Sequence, residues 1–137
     1  MKPGVQDTLS GQLKINGCYF LCLCQLAKDN MTNSMIEDMY GRCVRNKWLR
    51  DDCFVKDAGT IYNYIADIQK YSGVRVTKEP KSWPCIRCNT KTLRSGKQAK
   101  HFTLQLSADP KDVWDPLPPD RPTNTGYSID SYRELIV

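Results

Sequence analysis

Apolar residues in GCYFLCLCQLAK (residues 17–28) follow a helical rhythm: Cys18, Cys22 and Leu26 recur every four residues on one face, and proline is absent. With Leu, Ala, Gln and Lys all favouring helix, the pattern predicts a buried helix starting at about Cys18. Thr32-Asn33-Ser34 then offers capping side chains, and Met35, Ile36, Met39, Cys43 and Val44 keep helical spacing to about Lys47, which predicts a second helix. Asp57 is placed to cap a third, AGTIYNYIADIQKYSG, with Ile61, Tyr64, Ile65 and Ile68 on one face and Gly73 as its stop.

The rhythm changes after Gly73. Val74-Arg75-Val76-Thr77 alternates and is β-branched, His101-Phe102-Thr103-Leu104-Gln105-Leu106 alternates, and Asp112-Val113-Trp114-Asp115 reads as a short strand before Pro116. A last strand is predicted near Tyr132–Ile136, after the proline-rich DPLPPDRPTNTG. Between the first two strands, residues 79–100 are rich in Pro, Gly, Ser and Lys and read as a long basic excursion from the sheet. Helices first and antiparallel strands second give an α+β fold. The expectation is one domain over 1–137, with a helical half at about 17–72 and a sheet half at about 73–137.

Composition adds three points. At 137 residues and 40% hydrophobic, the chain has core enough for one domain. No run nears the roughly 20 apolar residues that span a bilayer, and MKPGVQDTLSGQ lacks the apolar centre of a secretory signal. A cytoplasmic monomer without membrane contact is expected, and its seven cysteines are expected to be mostly reduced thiols. Finally, the net charge of +5 is uneven: Arg75, Lys78, Lys81, Arg87, Lys91, Arg94, Lys97 and Lys100 face only Glu79, so this stretch carries +7 and the remainder −2. Such a stretch is either a solvated face or a surface for an acidic protein or nucleic acid.

Cys18 is the thiol to which chemistry points. A thiol attacks carbonyl carbon as a thiolate, and the start of a helix favours the anion through its unpaired N–H groups and macrodipole. Cys18 alone among the cysteines joins a preceding glycine, a predicted helix start and an upstream amide, Gln12, six residues before it. The Gln12 NH₂ and the Cys18 backbone N–H would form an oxyanion hole. His101 is the only histidine, and Asp115 follows it by fourteen residues at the end of the next predicted strand. An antiparallel pair would let Asp115 orient one ring nitrogen while the other faces the thiol.

This order, Gln-x5-Cys at a helix start, then His opening a strand, then Asp-Pro, resembles the papain-like cysteine peptidases. It is most similar to the branch of bacteriocin-processing, double-glycine-leader peptidase domains, and the likeness runs from Gln12 to Pro116. The resemblance implies a papain-like fold with N-terminal helices packed on the sheet. It also implies a nucleophile at Cys18, an oxyanion donor at Gln12, a base and acid at His101, and an orienting residue at Asp115. The substrate would be a peptide or protein, cut at a peptide or isopeptide bond without a cofactor or metal. The sequence departs from that branch around the nucleophile, where Asn16-Gly17-Cys18-Tyr19 replaces Asp-Cys-Gly. The Asn-Gly-Cys-Tyr-Phe opening also resembles small phage- or plasmid-borne proteins of unknown function.

Other residues have plainer readings beside sharper ones. Cys22 lies one turn below Cys18 and reads as core. Cys85 and Cys88 form one CxxC in the basic stretch, half a zinc site, which fits a hairpin-tip disulfide or two reduced thiols better than metal. Trp83 and Trp114 are candidates for a substrate groove or for packing between helices and sheet. The alternative function is an inactive papain-like module that binds an acidic protein or nucleic acid through residues 75–100.

Overall fold

In the computed structural model, which describes residues 1–137, helices fill the first half of the chain and a sheet the second. A 3₁₀ turn (Val5–Thr8) leads into α1 (Gly11–Asn16), which continues almost directly into α2 (Cys18–Ala27). α1 was not expected, because only Leu13 of its six residues is buried and so short a segment carries no apolar rhythm. At the joint, the Gly17 N–H donates to the Leu13 carbonyl at 3.0 Å and the Gly17 carbonyl accepts from the Leu21 N–H at 2.8 Å. A Cβ on Gly17 would sit 2.3 Å from the Leu13 carbonyl oxygen. That close approach requires glycine immediately before Cys18.

Phe20, Leu21, Cys22, Leu23 and Cys24 are all buried, so α2 is surrounded rather than amphipathic and forms the centre of the core. It packs against strand β3 (Gln98–Gln105) of the sheet and against α4 (Ala58–Ala66). Between them, α3 (Asn33–Arg45) starts where the caps predict, with Thr32 Oγ1 accepting from the Met35 N–H at 3.2 Å, a cap worth about 1 kcal/mol. Asp57 likewise caps α4, accepting from the Thr60 N–H at 3.1 Å.

The expected extension of the third predicted helix to Gly73 is corrected. α4 stops at Ala66 because Asp67 turns left-handed, with φ 56°. The Asn63 side chain then donates to the Tyr71 carbonyl at 2.8 Å and accepts from the Tyr71 N–H at 3.1 Å, folding residues 68–72 back along the helix.

The sheet consists of β1 (Gly73–Thr77), β2 (Cys85–Thr92), β3 (Gln98–Gln105), β4 (Val113–Trp114) and β5 (Ser128–Ile136). All pairings are antiparallel and the order is β1-β5-β2-β3-β4. The α+β class is therefore as expected, but the basic excursion is not. Residues 85–92 are the central strand, and only the turn at 93–97 projects beyond the β2–β3 hairpin.

Polar residues in β2 disguised it. Buried Asn89 donates to the His101 carbonyl at 2.9 Å and to Thr103 Oγ1 at 3.1 Å, so the strand's polar groups are satisfied inside the fold. Cys85 and Cys88 are both buried, free thiols on this strand. Three residues apart, they face opposite sides of the sheet, which corrects the hairpin-tip disulfide. No helix is long and apolar enough to cross a membrane.

Candidate active site

Cys18 opens α2 and is the only cysteine that is not buried. Its neighbour is His101, which stands in β3 with its carbonyl tied to Asn89 and its side chain only 5% exposed. His101 Nε2 lies 2.7 Å from Asp115 Oδ1, within the range expected for a ring held by a carboxylate. Cys18 lies beside the same ring, close enough to help raise its pKa, and Nδ1 is the ring nitrogen that Asp115 leaves free. Three of the four residues singled out from sequence are thus brought together from a helix start, a central hairpin and the segment after β4.

No family model, curated protein sequence or solved structure matches this chain. The site is therefore read from its own geometry.

Asp115 is fixed from several sides. Its Oδ1 also accepts from the Leu117 N–H at 2.9 Å, its Oδ2 accepts from Asn124 Nδ2 at 3.0 Å, and its carbonyl accepts from the Gly4 N–H at 2.9 Å. Burial works against a charge on Asp115, but the hydrogen bond and charge of His101, with the Asn124 and Leu117 donors, hold the carboxyl below its ordinary range. On His101, burial likewise opposes the charge. The hydrogen bond and charge of Asp115, with the nearby Cys18, outweigh it, raising the ring from 6.5 to about 9. Cys22, fully buried one turn below Cys18, is pushed well up by burial and by the nearby Cys18 and Asp115. It is a core thiol, as its spacing suggested.

Gln12 occupies the exposed face of α1, where its Oε1 accepts from Asn16 Nδ2 at 2.8 Å. Its own NH₂ makes no hydrogen bond within the chain and stays available as a donor. No hydrogen bond joins Gln12 to Cys18, and the cleft that Cys18 lines is walled by Ile15, Asn16 and Tyr19 but not by Gln12.

Both tryptophans are corrected to packing roles. Trp83 stands edge-on to Tyr132, ring centroids 5.5 Å apart, in a hollow shared with Tyr62 and Tyr71 and away from His101. Trp114 is buried in the core and its indole donates to the Met1 carbonyl at 3.0 Å. Much of the basic stretch is also engaged within the chain: Arg75 pairs with Glu134, Lys78 donates to the Asp130 carbonyl, and Arg87 Nη1 donates to Gln105 Oε1 at 3.1 Å and the Pro110 carbonyl at 2.9 Å. The basic loop expected there is thus largely strand, and four of its eight cations, Arg75, Lys78, Arg87 and Lys91, are held by groups within the chain.

Sequence reasoning missed a strap over His101. Asn124 and Tyr127 lie in and just after the proline-rich segment, with the Tyr127 ring centroid 5.6 Å from that of His101. Lys91 pins the strap by donating to the Thr123 carbonyl at 2.6 Å and the Thr125 carbonyl at 3.0 Å, its ammonium 4.4 Å from the Tyr127 centroid. Arg121 ties the strap to Asp7. No local pattern marks these residues, because their partners are far away in the chain. A cleft of 580 Å³ opens beside Cys18, between the Asp52–Val55 turn and strand β1.

Proposed function

We propose that this chain is a papain-like cysteine peptidase that hydrolyses a peptide or isopeptide bond through an acyl-enzyme on Cys18. The observation that carries the reading is the imidazole of His101, held at Nε2 by Asp115 at 2.7 Å with Cys18 close enough to help raise the ring's pKa. A lone buried cysteine and a lone structural histidine would have no reason to meet across the fold with a carboxylate behind the ring.

The chemistry follows from these positions. As the Cys18 sulfur attacks the scissile carbonyl carbon, the thiol proton passes to His101 and the electron pair of the C=O bond moves to oxygen. Donors at the start of α2 stabilise that oxyanion, and the free NH₂ of Gln12 is the candidate side-chain donor. His101 gives its proton to the departing amine as the tetrahedral intermediate collapses to a thioester. It then takes a proton from the water that attacks the thioester, releasing the acid and restoring the thiol. Asp115 keeps the ring in one orientation through both steps, as the third member of a triad does.

The test is alkylation followed by turnover. Iodoacetamide at about pH 6 should label Cys18 alone, since the other thiols are buried and unactivated. Cys18→Ser should keep the fold and lose hydrolysis of a casein or mixed-peptide substrate. Turnover surviving in Cys18→Ser would end the proposal.

A further inference from the structure

Several of the protein's exposed apolar side chains are gathered in one place. Ile15, Phe54, Val74 and Val76 are exposed by 69%, 58%, 37% and 62%, and all four line the cleft that opens beside Cys18. Its 580 Å³ lies within the usual range for ligand clefts, about 300–1,000 Å³. Val74 and Val76 belong to β1, which ends the sheet and pairs only with β5. The backbone N–H and C=O groups on the other edge of β1 therefore have no strand partner.

The charges in the cleft are one-sided. Asp52, its single acid, is paired with Arg50 at 2.6 Å and accepts from the Phe54 N–H at 3.2 Å. Lys100 and Arg133 have no carboxylate partner: Arg133 Nη1 donates to Ser131 Oγ at 2.8 Å, and its guanidinium lies 5.7 Å from the Phe102 ring centroid. Asp130 is near both cations and keeps its charge while accepting from Ser131 Oγ at 2.8 Å, so it offsets them in part from outside the cleft. Among the residues that line the cleft, the cations outnumber the acid.

We propose that the cleft takes an extended peptide laid over the sheet face that β1, β5 and β3 present to it. A bulky apolar side chain packs among Phe54, Val74 and Val76, and an acidic side chain meets Lys100 and Arg133. The apolar contacts supply affinity, and the placing of the acid supplies the choice of sequence. The inference rests on the peptidase reading only for the fate of the peptide; binding itself needs no cleavage.

The experiment pans the Cys18→Ser protein against a displayed library of random linear peptides and measures selected peptides by fluorescence anisotropy. The expected selection is a large apolar residue and an Asp or Glu at fixed spacing. Lys100 is exposed, so Lys100→Glu should fold normally and weaken these peptides about tenfold, because an attraction becomes a repulsion. Arg133→Gln should weaken them less, and Val76→Asp should remove binding of all of them. Absence of binders, or binders with no acidic preference, overturns the proposal, as does unchanged affinity in Lys100→Glu. Incubating the selected peptides with the unsubstituted protein separates the two readings. Cleavage supports both, whereas acid-selective binding without cleavage supports the cleft and removes the peptidase. Cleavage of peptides that show no acidic preference overturns the cleft assignment and keeps the peptidase.

Discussion

Replacing Asp115 with asparagine tests the centre of the site with one probe, because the chain contains a single histidine. The Asp115→Asn side chain keeps nearly the same shape and removes the charge that His101 Nε2 meets at 2.7 Å. Unit charges about 4 Å apart at an effective dielectric of about 20 interact by roughly 4 kcal/mol, or about three pH units. The remaining amide oxygen still accepts a hydrogen bond, so the expected fall in the His101 pKa is about 2–3 units, from about 9 to near or below the unperturbed imidazole value.

The reading is a ¹H–¹³C titration of the His101 ring between about pH 5 and 10, which brackets both values. Linkage gives a second readout. The folded pKa of His101 lies above its unfolded value, so its contribution is full below 6.5 and disappears as pH rises through about 9. That 6.5-to-9 shift is worth about 3 kcal/mol. Urea unfolding should therefore show wild type losing about 3 kcal/mol more than Asp115→Asn between pH 6 and 10, with other titrating groups cancelling in the difference. Asp115, depressed by its partners, contributes above the ordinary carboxylate range and loses that contribution as pH falls through its lowered value. A wild-type ring titrating at or below 6.5, or the same midpoint in both proteins, would refute the charged pair and the mechanism built on it.

Other outcomes probe the surroundings. Gln12→Ala should lower kcat by about 10²–10³ with KM unmoved if its free NH₂ serves the oxyanion; a change confined to KM would make Gln12 a binding residue. Gly17→Ala should cost at least about 2 kcal/mol in urea unfolding, because its methyl must displace backbone, and wild-type stability would deny the tight joint. Asn124→Ala removes a donor to Asp115 and should reduce kcat/KM about tenfold, the worth of one hydrogen bond to a charged group, while circular dichroism stays unchanged; unaltered kinetics would make the strap a bystander.

Local signals made the starts of α2, α3 and α4 and four of the strands legible. Thr32 and Asp57 cap where their side chains predict, and Cys18 begins its helix because Gly17 alone tolerates the Leu13 carbonyl at that distance. The failures share a cause: polar side chains whose partners are distant or follow a break. β2 was hidden because Asn89 and Arg87 are satisfied across the sheet, and α4 ended early because Asn63 binds the backbone of Tyr71. His101 and Asp115 were found through their residue types and order. Asn124 and Tyr127 could not be, since an asparagine among prolines has no meaning until Asp115 stands beside it.

The placement of β5 bears on when this protein becomes whole. Cys18, His101 and Asp115 are all synthesised before Ser128, yet β5 is the strand that joins β1 to β2 and carries Arg133 to the cleft. A nascent chain that has emerged only as far as Tyr127 holds every reactive group but has a sheet split at its centre. Pairings that reach from β5 back to β1 form late and slowly, as long-range contacts do. Cys18 is thus made well before the strand that closes the sheet and brings Arg133 to the cleft beside it.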